Sequence, residues 1–404
     1  MAYKQYRLSE IAMVEISGVD KKYLEGESEV QLCNFVDVYR NWAITSNMTP
    51  KFMIATARPN EIQRFKLKRG QVALTKDSET RYDIGISTYI ADDLDNVILG
   101  YHNALITPNP DKLSGKYLNA LLHTDYAKKY FANNASGSGQ RYALGVDALN
   151  SFPVYIPQLA EQERIGEIFS LIDRKIALNR QINDNLEAMA KQLYNYWFVQ
   201  FDFPDENGKP YKSSGGKMVW NDKLKREIPA CFRYIEVGDI TQIVTGKEDA
   251  NFSTQDGRYP FFSCSQEVLR CDTPKFNGNA VLIAGNGDFN VKHYHGKFNA
   301  YQRTYVILPP ALYYGCVYFS ALQRIESFKN KSNGSIVKFI TKGDVESIGI
   351  YECNDINIYQ TLNQIIHDIE NNRKQIDELL NLRDTLLPVL INGQITVNYH
   401  LSDD

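Results

Sequence analysis

Two stretches of the 404-residue chain combine cations with amide side chains in spans that contain few acids. The cations of the first stretch are Arg58, Arg64, Lys66, Lys68, Arg69, Lys76 and Arg81. The second stretch holds Asn286, Asn290, Lys292, His293, His295, Gln302 and Arg303. Cations neutralise phosphates, while Asn, Gln and Arg can make bidentate hydrogen bonds to adenine or guanine edges. These residues are candidates for contacts with duplex DNA, and the alternative for each of them is a solvated loop.

A polar loop at Asn133–Arg141 (NNASGSGQR) supplies further candidates. Small Gly and Ser residues let backbone N–H groups approach phosphate closely, which places Ser138, Gln140 and Arg141 among the candidates. The tripeptide NGS, 197 residues after SGS at 136–138, adds Asn333 and Ser335.

Motifs for enzyme chemistry are weak. The nearest match to the Asn-Pro-Pro-Tyr/Phe tetrapeptide of amino-methyltransferases, Leu308–Leu312 (LPPAL), lacks its polar first residue. Gly285–Gly287 (GNG) lacks the third glycine of a dinucleotide-binding loop and is better explained as a turn. His293 and His295 would need other converging ligands to bind a metal. We therefore predict no catalytic residue and no metal ligand in this chain.

Two long helical stretches must position these candidates. In Leu159–Phe203 apolar residues recur in alternating steps of three and four, which is typical of a coiled-coil seam. The predicted seam comprises Ile165, Ile168, Ile172, Lys175, Asn179, Ile182, Leu186, Met189, Leu193 and Tyr196, of which Lys175 and Asn179 are polar. A second seam, within Ile356–Leu390, comprises Leu362, Ile365, Ile369, Asn372, Ile376, Leu379 and Leu386. Because Lys175 and Asn372 align at the 197-residue spacing, we expect these two polar residues to fix the register.

The two halves of the chain repeat one another in order along their length. The matches are Asp147 with Asp344, Ile172 with Ile369, Gln71–Asp77 (QVALTKD) with Ala280–Asp288 (AVLIAGNGD), and His102–Pro108 (HNALITP) with Arg303–Pro309 (RTYVILP). Identity is low, but the agreement in order favours an internal duplication over chance.

Composition restricts the class of protein without identifying it. Hydrophobic and charged contents of 43% and 23% are those of a globular protein, and 404 residues need more than one core. With a net charge of −3, any binding of nucleic acid must rest on local patches. No run of 18 apolar residues, no signal peptide and no C-x-x-C pair is present, so we expect a cytoplasmic protein with reduced cysteines.

The repeat also predicts the domain order. We expect globular domains at 1–157 and 226–353, a central helical spacer with its connector at 158–225, and a C-terminal helical spacer at 354–404. Helices related by a pseudo-two-fold would pair antiparallel, and their length of about 50–58 Å suits a spacer between major grooves that recur every ~34–36 Å. The alternative is two ordinary amphipathic helices on separate domains.

Three segments carry a resemblance to a known family. They are 136–173 (SGSGQRYALGVDALNSFPVYIPQLAEQERIGEIFSLID), 196–220 (YWFVQFDFPDENGKPYKSSGGKMVW) and 226–232 (REIPACF). Together with the order of globular region, helix, globular region and helix, they make the whole chain resemble the specificity subunit of type I restriction-modification systems. The connector at Phe201–Trp220 is the most specific part of this resemblance.

The resemblance implies an α+β fold with two repeated target recognition domains, mixed β-rich with helices, separated by a long antiparallel two-helix coiled coil. Each domain would read half of a bipartite, asymmetric DNA site. The implied partners are two modification (methyltransferase) subunits that use S-adenosylmethionine and, in some complexes, restriction subunits that use ATP and Mg. No cofactor is expected in this chain.

One segment departs from the pattern. Ile391–Tyr399 (INGQITVNY) offers no counterpart of Tyr194–Phe203, so we expect the two ends of the paired helices to differ. Two rival hypotheses stay open: a coiled-coil scaffold that binds no DNA, and a stand-alone DNA methyltransferase.

Overall fold

The computed structural model describes residues 3–287, 289–331 and 339–395, with the backbone alone described at 328–331. The chain forms two compact units. Unit 1 comprises residues 1–178 and 376–404, and unit 2 comprises residues 179–375. Each unit therefore contains one globular region and one half of each long helix.

The globular region of unit 1 mixes short strands and helices. In chain order they are β1 (Lys4–Arg7), α1 (Leu8–Ile11), β2 (Ala12–Ile16), β3 (Ser28–Cys33), α2 (Phe35–Arg40), β4 (Ala43–Ile44), β5 (Met53–Ala57), α3 (Pro59–Phe65), β6 (Val72–Thr75), β7 (Asp77–Ser78), β8 (Ser87–Ile90), β9 (Val97–Leu99), β10 (Asn103–Pro108), α4 (Gly115–Leu122), α5 (Asp125–Asn134), β11 (Ser136–Ser138), β12 (Arg141–Ala143), α6 (Val146–Asn150) and β13 (Pro153–Ile156).

The main sheet of unit 1 has the strand order β2-β10-β6-β8-β4. Strand β6 is buried at every position, as expected for a central strand that is covered on both faces. Val72 and Leu74 belong to the core that holds α4 and α5, whereas Ala73 belongs to a second core beneath the smaller sheet β5-β3-β9. The two-residue period of a strand thus divides its side chains between the two cores.

The remaining elements begin with the first long helix. They are α7 (Leu159–Tyr194), which continues as a π turn at Asn195–Val199, then β14 (Met218–Asn221), β15 (Arg226–Pro229), β16 (Arg233–Glu236), α8 (Val237–Ile240), β17 (Val244–Thr245), β18 (Tyr259–Phe262), β19 (Val268–Cys271), β20 (Phe276–Ala284), β21 (Val291–Ala300), β22 (Thr304–Ile307), α9 (Tyr314–Lys331), α10 (Lys342–Glu346), β23 (Gly349–Glu352) and α11 (Asn357–Ile391). Short 3-10 turns lie at Ser46–Lys51, Ala250–Phe252 and Ala311–Tyr313.

The main sheet of unit 2 has the order β17-β22-β20-β21-β18-β19, and its central hairpin β20–β21 is sharply bent. The side chain of Asn290, before β21, donates to the carbonyl of Cys264 (2.9 Å), and the amide of Tyr301, after β21, donates to the carbonyl of Phe262 (2.9 Å). A straight strand of ten residues would separate those two ends by about 33 Å. The bend falls where Gly278 faces Gly296, with φ of 135° and 128°.

The two globular regions are the same fold in duplicate. Both pair their first and last strands (β1 with β13, β16 with β23), and both attach a parallel strand to the main sheet (β4 to β8, β18 to β21). Five backbone N–H to carbonyl hydrogen bonds of unit 1 have counterparts in unit 2. In unit 1 they are Leu8–Phe152, Ser17–Asn103, Tyr101–Val19, Lys76–His102 and Leu144–Lys76. Their counterparts in unit 2, in the same order, are Val237–Ile348, Gly246–Thr304, Gln302–Glu248, Gly285–Arg303 and Ile340–Gly285. The predicted repeat is confirmed. The sequence match that begins at Gln71 and Ala280 falls on β6 and β20, and the match that begins at His102 and Arg303 falls on β10 and β22.

Two local predictions were wrong. The stretch Lys116–Phe131, whose Leu118, Leu121, Leu122 and Tyr126 predict one amphipathic helix, is two helices. Thr124 begins the second helix by accepting a hydrogen bond from the amide of Ala127 (3.3 Å). The loop expected at Asn133–Arg141 is largely the hairpin β11–β12, which adds to β7 in a sheet of order β11-β12-β7.

The seam predicted for α7 is correct at every second position, and at the positions between these the inner residue is the next one along the chain. Ile165, Ile172, Leu186 and Leu193 face inward as predicted, but the alternate positions are Phe169, Ile176, Asn183 and Ala190, all buried. The side chains chosen from the sequence are less buried there: Ile168 is half-buried, whereas Lys175, Ile182 and Met189 are exposed. The sequence misled because Ile182 and Met189 are more apolar than the Asn183 and Ala190 that hold the inner positions. On α11, Leu362, Ile365 and Ile369 are buried and Asn372, Ile376, Leu379 and Leu386 are half-buried.

Amide side chains join the two long helices within unit 2, and they include the predicted polar seam residues Asn179 and Asn372. Asn179 donates to Gln375 (3.2 Å), and Asn183 both accepts from Asn372 (2.9 Å) and donates to the carbonyl of Ile369 (3.3 Å). Residue numbers rise on α7 as they fall on α11, so the helices are antiparallel there. Buried amides of this kind fix register at some cost in stability.

Candidate nucleic-acid interface

In unit 1 the structure brings one group of predicted residues together around the small sheet β11-β12-β7. This surface, which we name edge 1, consists of the loop 76–83 and the hairpin 136–143. Its predicted members are Lys76, Arg81, Ser138, Gln140 and Arg141, of which all but the half-buried Lys76 are exposed. Tyr142 pairs with Ser78 and Ala143 with Asp77, so the hairpin is fixed directly beside the loop.

Asp77 holds the base of edge 1 in place. Its carboxylate accepts hydrogen bonds from the Lys76 ammonium (2.8 and 3.0 Å) and lies 2.5 Å from Nδ1 of His102. Burial acts to raise the pKa of Asp77, but the hydrogen bonds from Lys76 and His102 outweigh it and leave that pKa lowered. His102 has a φ of 69°, an uncommon conformation for a residue with a side chain. The carboxylate therefore stays ionised and orients the Lys76 ammonium and the His102 ring.

The tip of edge 1 presents one large side chain that the sequence analysis missed. Tyr82 is 84% exposed, and both of its neighbours are held. The Arg81 guanidinium lies 5.3 Å from the centre of the Tyr142 ring, and Asp83 accepts a hydrogen bond from the hydroxyl of Tyr39 (2.9 Å). Only its place next to Arg81 in a polar loop could have indicated Tyr82 from the sequence.

The remaining cations of the first stretch lie on other elements and have acidic neighbours. Arg58 contacts Glu27 (3.4 Å), Arg64 contacts Glu15 (3.0 Å) and Lys66 contacts Asp95 (3.3 Å). Lys68 is exposed. Glu15, Glu27 and Asp95 lie outside the span 58–81, so the sequence of that span gives no indication of these ion pairs. These four residues surround α3 and the segment after it, and they are not part of the hairpin surface.

In unit 2 four turns converge at one end of the bent hairpin. This surface, edge 2, comprises the described residues of four turns: 246–249, 263–266, 285–287 with 289–290, and 301–303. The hydrogen bonds that join these turns run from the amide of Gln302 to Glu248 (2.9 Å), from the amide of Gly285 to Arg303 (2.9 Å) and from the side chain of Asn290 to Cys264 (2.9 Å). Gln302 and Arg303 are exposed, and Asn286 is half-buried. The exposed Lys247 is a further cation that the duplication could have revealed.

Three residues predicted to face DNA are turned into the protein instead. His293 is buried against α11, Asn290 is buried and bonded to Cys264, and the Lys292 ammonium donates to the carbonyl of Ser265 (2.5 Å) and to Asn290 (2.6 Å). Alternation along β21 explains the difference, because His293 and His295 share a face of the strand that is directed towards the long helices. His295 is exposed and lies 2.6 Å from the Asn279 side-chain oxygen on β20.

Two predicted residues, Asn333 and Ser335, lie outside the described residues. Within the described ranges no group of three or more His, Cys, Asp or Glu side chains could hold a metal ion. Among those same residues no helix combines the length and apolarity needed to cross a membrane. The six cysteines, all within the described ranges, are free.

Comparison with known proteins agrees with this architecture. The sequence profile of the family described as "Type I restriction modification DNA specificity domain" matches residues 3–188 and 231–381, one segment for each globular region. The chain belongs to this family. The two matched segments each continue from a globular region into a long helix, so the family unit is the repeated pair of domain and helix.

Relatives within the DNA specificity family support the assignment over parts of their length. The chain is 33% identical over 177 residues to the type I restriction enzyme EcoDI specificity subunit of Escherichia coli, covering 42% of this chain and 40% of that protein. It is 34% identical over 137 residues to the HindI specificity subunit of Haemophilus influenzae, covering 34% and 29%. The chain thus spans about two fifths or less of the length of these relatives.

A solved structure shows the same fold over the whole length. The type I restriction-modification S subunit from M. genitalium matches 99% of this chain and 97% of its own chain, with a TM-score of 0.59 and 14% identity. At this identity the likeness concerns the fold alone.

Proposed function

We propose that this chain is the DNA-recognition subunit of a type I restriction-modification complex and that it reads a bipartite site. The observation that carries the proposal is the duplication: one fold occurs twice, and each copy exposes polar turns at edge 1 or edge 2. Membership of the DNA specificity family supports the proposal that these edges recognise DNA bases. Each unit would bind one half-site in a major groove.

The two half-sites are expected to differ, because the two edges differ in chemistry. Edge 1 presents Arg81, Gln140 and Arg141 on a loop and a hairpin, with an exposed tyrosine at its tip. Edge 2 presents Lys247, Gln302 and Arg303 on short turns. Amide and guanidinium groups in different arrangements match different patterns of base donors and acceptors. The site is therefore asymmetric and not palindromic.

The paired helices would set the gap between the half-sites. Helix α7 has 36 residues and α11 has 35, which corresponds to lengths of about 52–54 Å. Both helices contribute to both units, so their length is a property that the two units share. Removing one heptad from each helix should shorten the accepted gap and leave the half-sites unchanged.

The covalent chemistry would belong to partner subunits. We assign adenine methylation to two modification subunits that use S-adenosylmethionine, and cleavage, where it occurs, to restriction subunits that use ATP and Mg. This chain would act through binding alone, since its described polar clusters are explained by hydrogen bonds that hold edges and helices.

The decisive experiment is to express the chain with its modification partner in a methylation-free host and to map methylated adenines across the genome. A single bipartite, asymmetric motif that disappears when either protein is omitted is the expected result. Methylation by this chain without a partner would point to the stand-alone methyltransferase. Failure of the complex to shift duplex DNA, at any salt concentration between 50 and 200 mM, would favour the scaffold.

A further inference from the structure

A buried polar network connects the recognition hairpin of unit 2 to both long helices. Its centre is His293 on β21, which is 3% exposed. Nδ1 of His293 lies 2.9 Å from the Glu370 carboxylate, and Nε2 lies 3.1 Å from the Arg373 guanidinium, both on α11. The edge of the Tyr318 ring, 4.7 Å away between centroids, closes the third side of the imidazole.

The partners determine the protonation of His293. A guanidinium can only donate, so Nε2 must accept from Arg373 and the ring proton must sit on Nδ1, from which it is donated to Glu370. Burial lowers the pKa of His293, and the charge of Arg373 lowers it further, against the opposing effect of Glu370. The histidine is therefore a neutral link with one donor and one acceptor, each used by a different residue of α11.

The network continues beyond this link. Arg373 also donates to Glu187 on α7 (2.8 Å), and Glu370 accepts from the hydroxyl of Tyr314 at the start of α9 (2.8 Å). His293, Glu370, Arg373, Glu187 and Tyr314, here called the His293 network, thus join β21, α7, α9 and α11. His293 is buried and the Arg373–Glu187 pair is half-exposed, and charge-assisted hydrogen bonds of this kind are stronger and more directional than the apolar contacts around them.

His293 lies close to edge 2 along the chain, so the network acts near the residues proposed to contact DNA. β21 begins at Val291, directly after Phe289 and Asn290, which belong to edge 2. The β20–β21 ladder is continuous from Phe276–Phe298 to Ile283–Val291, and His293 lies between edge 2 and the point where Gly278 faces Gly296. Within unit 2, His293 fixes the angle between this hairpin and the helix pair close to the recognition turn.

We propose that the His293 network is a positioning device: it holds edge 2 at one angle on the helices and so restricts the complex to one spacing between half-sites. The inference rests on the proposed function and deepens it. Half-site bases would be read by edge 2 itself, and the network would decide how far from the other half-site that reading can occur.

The test uses the full chain in complex with its modification partner and compares genomic methylation for His293→Leu and Arg373→Met. Both variants remove the bond between His293 and Arg373 but leave edge 2 intact. We expect unchanged half-sites, with methylation at sites one base pair longer or shorter than the wild-type gap rising by roughly tenfold. His293→Gln, which can still accept from Arg373, should show an intermediate rise.

Tyr194→Phe is the matched control. It removes another buried hydrogen bond of unit 2, between the hydroxyl groups of Tyr194 and Ser320 (2.7 Å), which joins α7 to α9 without involving the hairpin. This variant should keep the strict gap even where its stability falls as far as that of His293→Leu. Because Arg373 is half exposed, Arg373→Met is expected to fold even if His293→Leu does not.

The outcomes separate the two proposals. An unchanged gap in a folded Arg373→Met complex would overturn the positioning role while leaving the proposed function intact. A similar loosening in Tyr194→Phe would also overturn it, since general softening of unit 2 would then suffice. If the wild-type complex methylates no bipartite site, the proposed function itself is wrong.

Discussion

Units 1 and 2 anchor the same two helices with unrelated side chains. In unit 1 the Trp42 ring stacks on His123 (4.3 Å between centroids) and carries the Arg383 guanidinium of α11 at 5.1 Å from its centre. In unit 2 the Arg373 guanidinium of α11 meets His293 instead. Five backbone hydrogen bonds of one fold have counterparts in the other, so the duplication has preserved topology while the contacts with the helices have diverged.

The recognition edges diverge in the same way. Edge 1 exposes its cations and amides on a hairpin, whereas edge 2 turns Asn290 and Lys292 inward to hold its turns together. Position in the repeat therefore identifies a surface, while the neighbouring side chains decide which of its residues face outward.

The largest expected effect is on the free energy of unfolding, from substitutions in the apolar seam within unit 1. Phe169→Ala should cost about 3–5 kcal/mol and Ile176→Ala about 2–5 kcal/mol in the free energy of unfolding, because both side chains are buried. Lys175→Ala, one residue away on the exposed face, should change it by less than about 0.5 kcal/mol. Urea unfolding followed by circular dichroism measures all three, and an equal cost for Ile176 and Lys175 would restore the seam expected from the sequence.

The two anchoring histidines should make both units sensitive to acid. Burial lowers the pKa of His123 to about 4, below the unfolded value of about 6.5. A depressed histidine pKa means that the unfolded chain binds the proton first, so stability is complete above about pH 6.5 and declines towards pH 4, by up to about 3 kcal/mol for this residue.

Hydrogen exchange at a series of pH values would assign the loss to each unit. The pKa of His293 is also lowered, where Glu370, Arg373, Glu187, Tyr314 and Tyr318 surround the ring. His123→Phe should flatten the pH dependence of protection in unit 1 alone, and His293→Leu that in unit 2 alone. Retention of the full dependence in either variant would exclude that histidine as its source.

A smaller effect should separate the two edges. Arg141→Ala should weaken binding by about 1–3 kcal/mol and relax one half-site, and Arg303→Ala should do the same at the other half-site. Methylome mapping of the two variant complexes distinguishes the halves. Relaxation of both half-sites by one substitution would contradict the division of labour between units.

The smallest effect is expected at a cation with an acidic partner away from the hairpin. Arg64→Ala removes an exposed ion pair with Glu15 and should cost no more than about 1 kcal/mol of stability. The salt dependence of DNA binding should stay unchanged, whereas Arg81→Ala should reduce its slope by about 0.9 if that side chain contacts a phosphate. A slope that falls for Arg64→Ala and stays unchanged for Arg81→Ala would instead place DNA on the α3 side of unit 1.

Features that depend on local sequence patterns could be predicted, whereas features that depend on contacts between distant residues could not. The matches of β6 with β20 and β10 with β22 were visible because buried strands retain their apolar pattern. The inner seam on α11 was also visible, since large aliphatic residues mark it. On α7 the inner positions include Asn183 and Ala190, whose burial depends on partners about 190 residues away, and local periodicity therefore selected Ile182 and Met189.

The candidate interface was predictable only in part for the same reason. Arg81, Gln140 and Arg141 are exposed on one surface, although 60 positions separate Arg81 from Arg141, because β12 pairs with β7. The sequence could not show that Glu15, Glu27 and Asp95 lie beside the other cations, or that a strand turns His293 towards a helix. These outcomes depend on long-range pairing that residue type alone does not specify.

The division of the chain between its units has a consequence for synthesis. Unit 2 is continuous, but the core of unit 1 contains Leu387, Leu390 and Ile391 together with Ile165 and Phe169. Because residues 387–391 follow unit 2 in the sequence, a ribosome synthesises them only after it has synthesised all of unit 2. Translation of unit 1 therefore starts before that of unit 2, but its core is complete only when these residues of α11 are present.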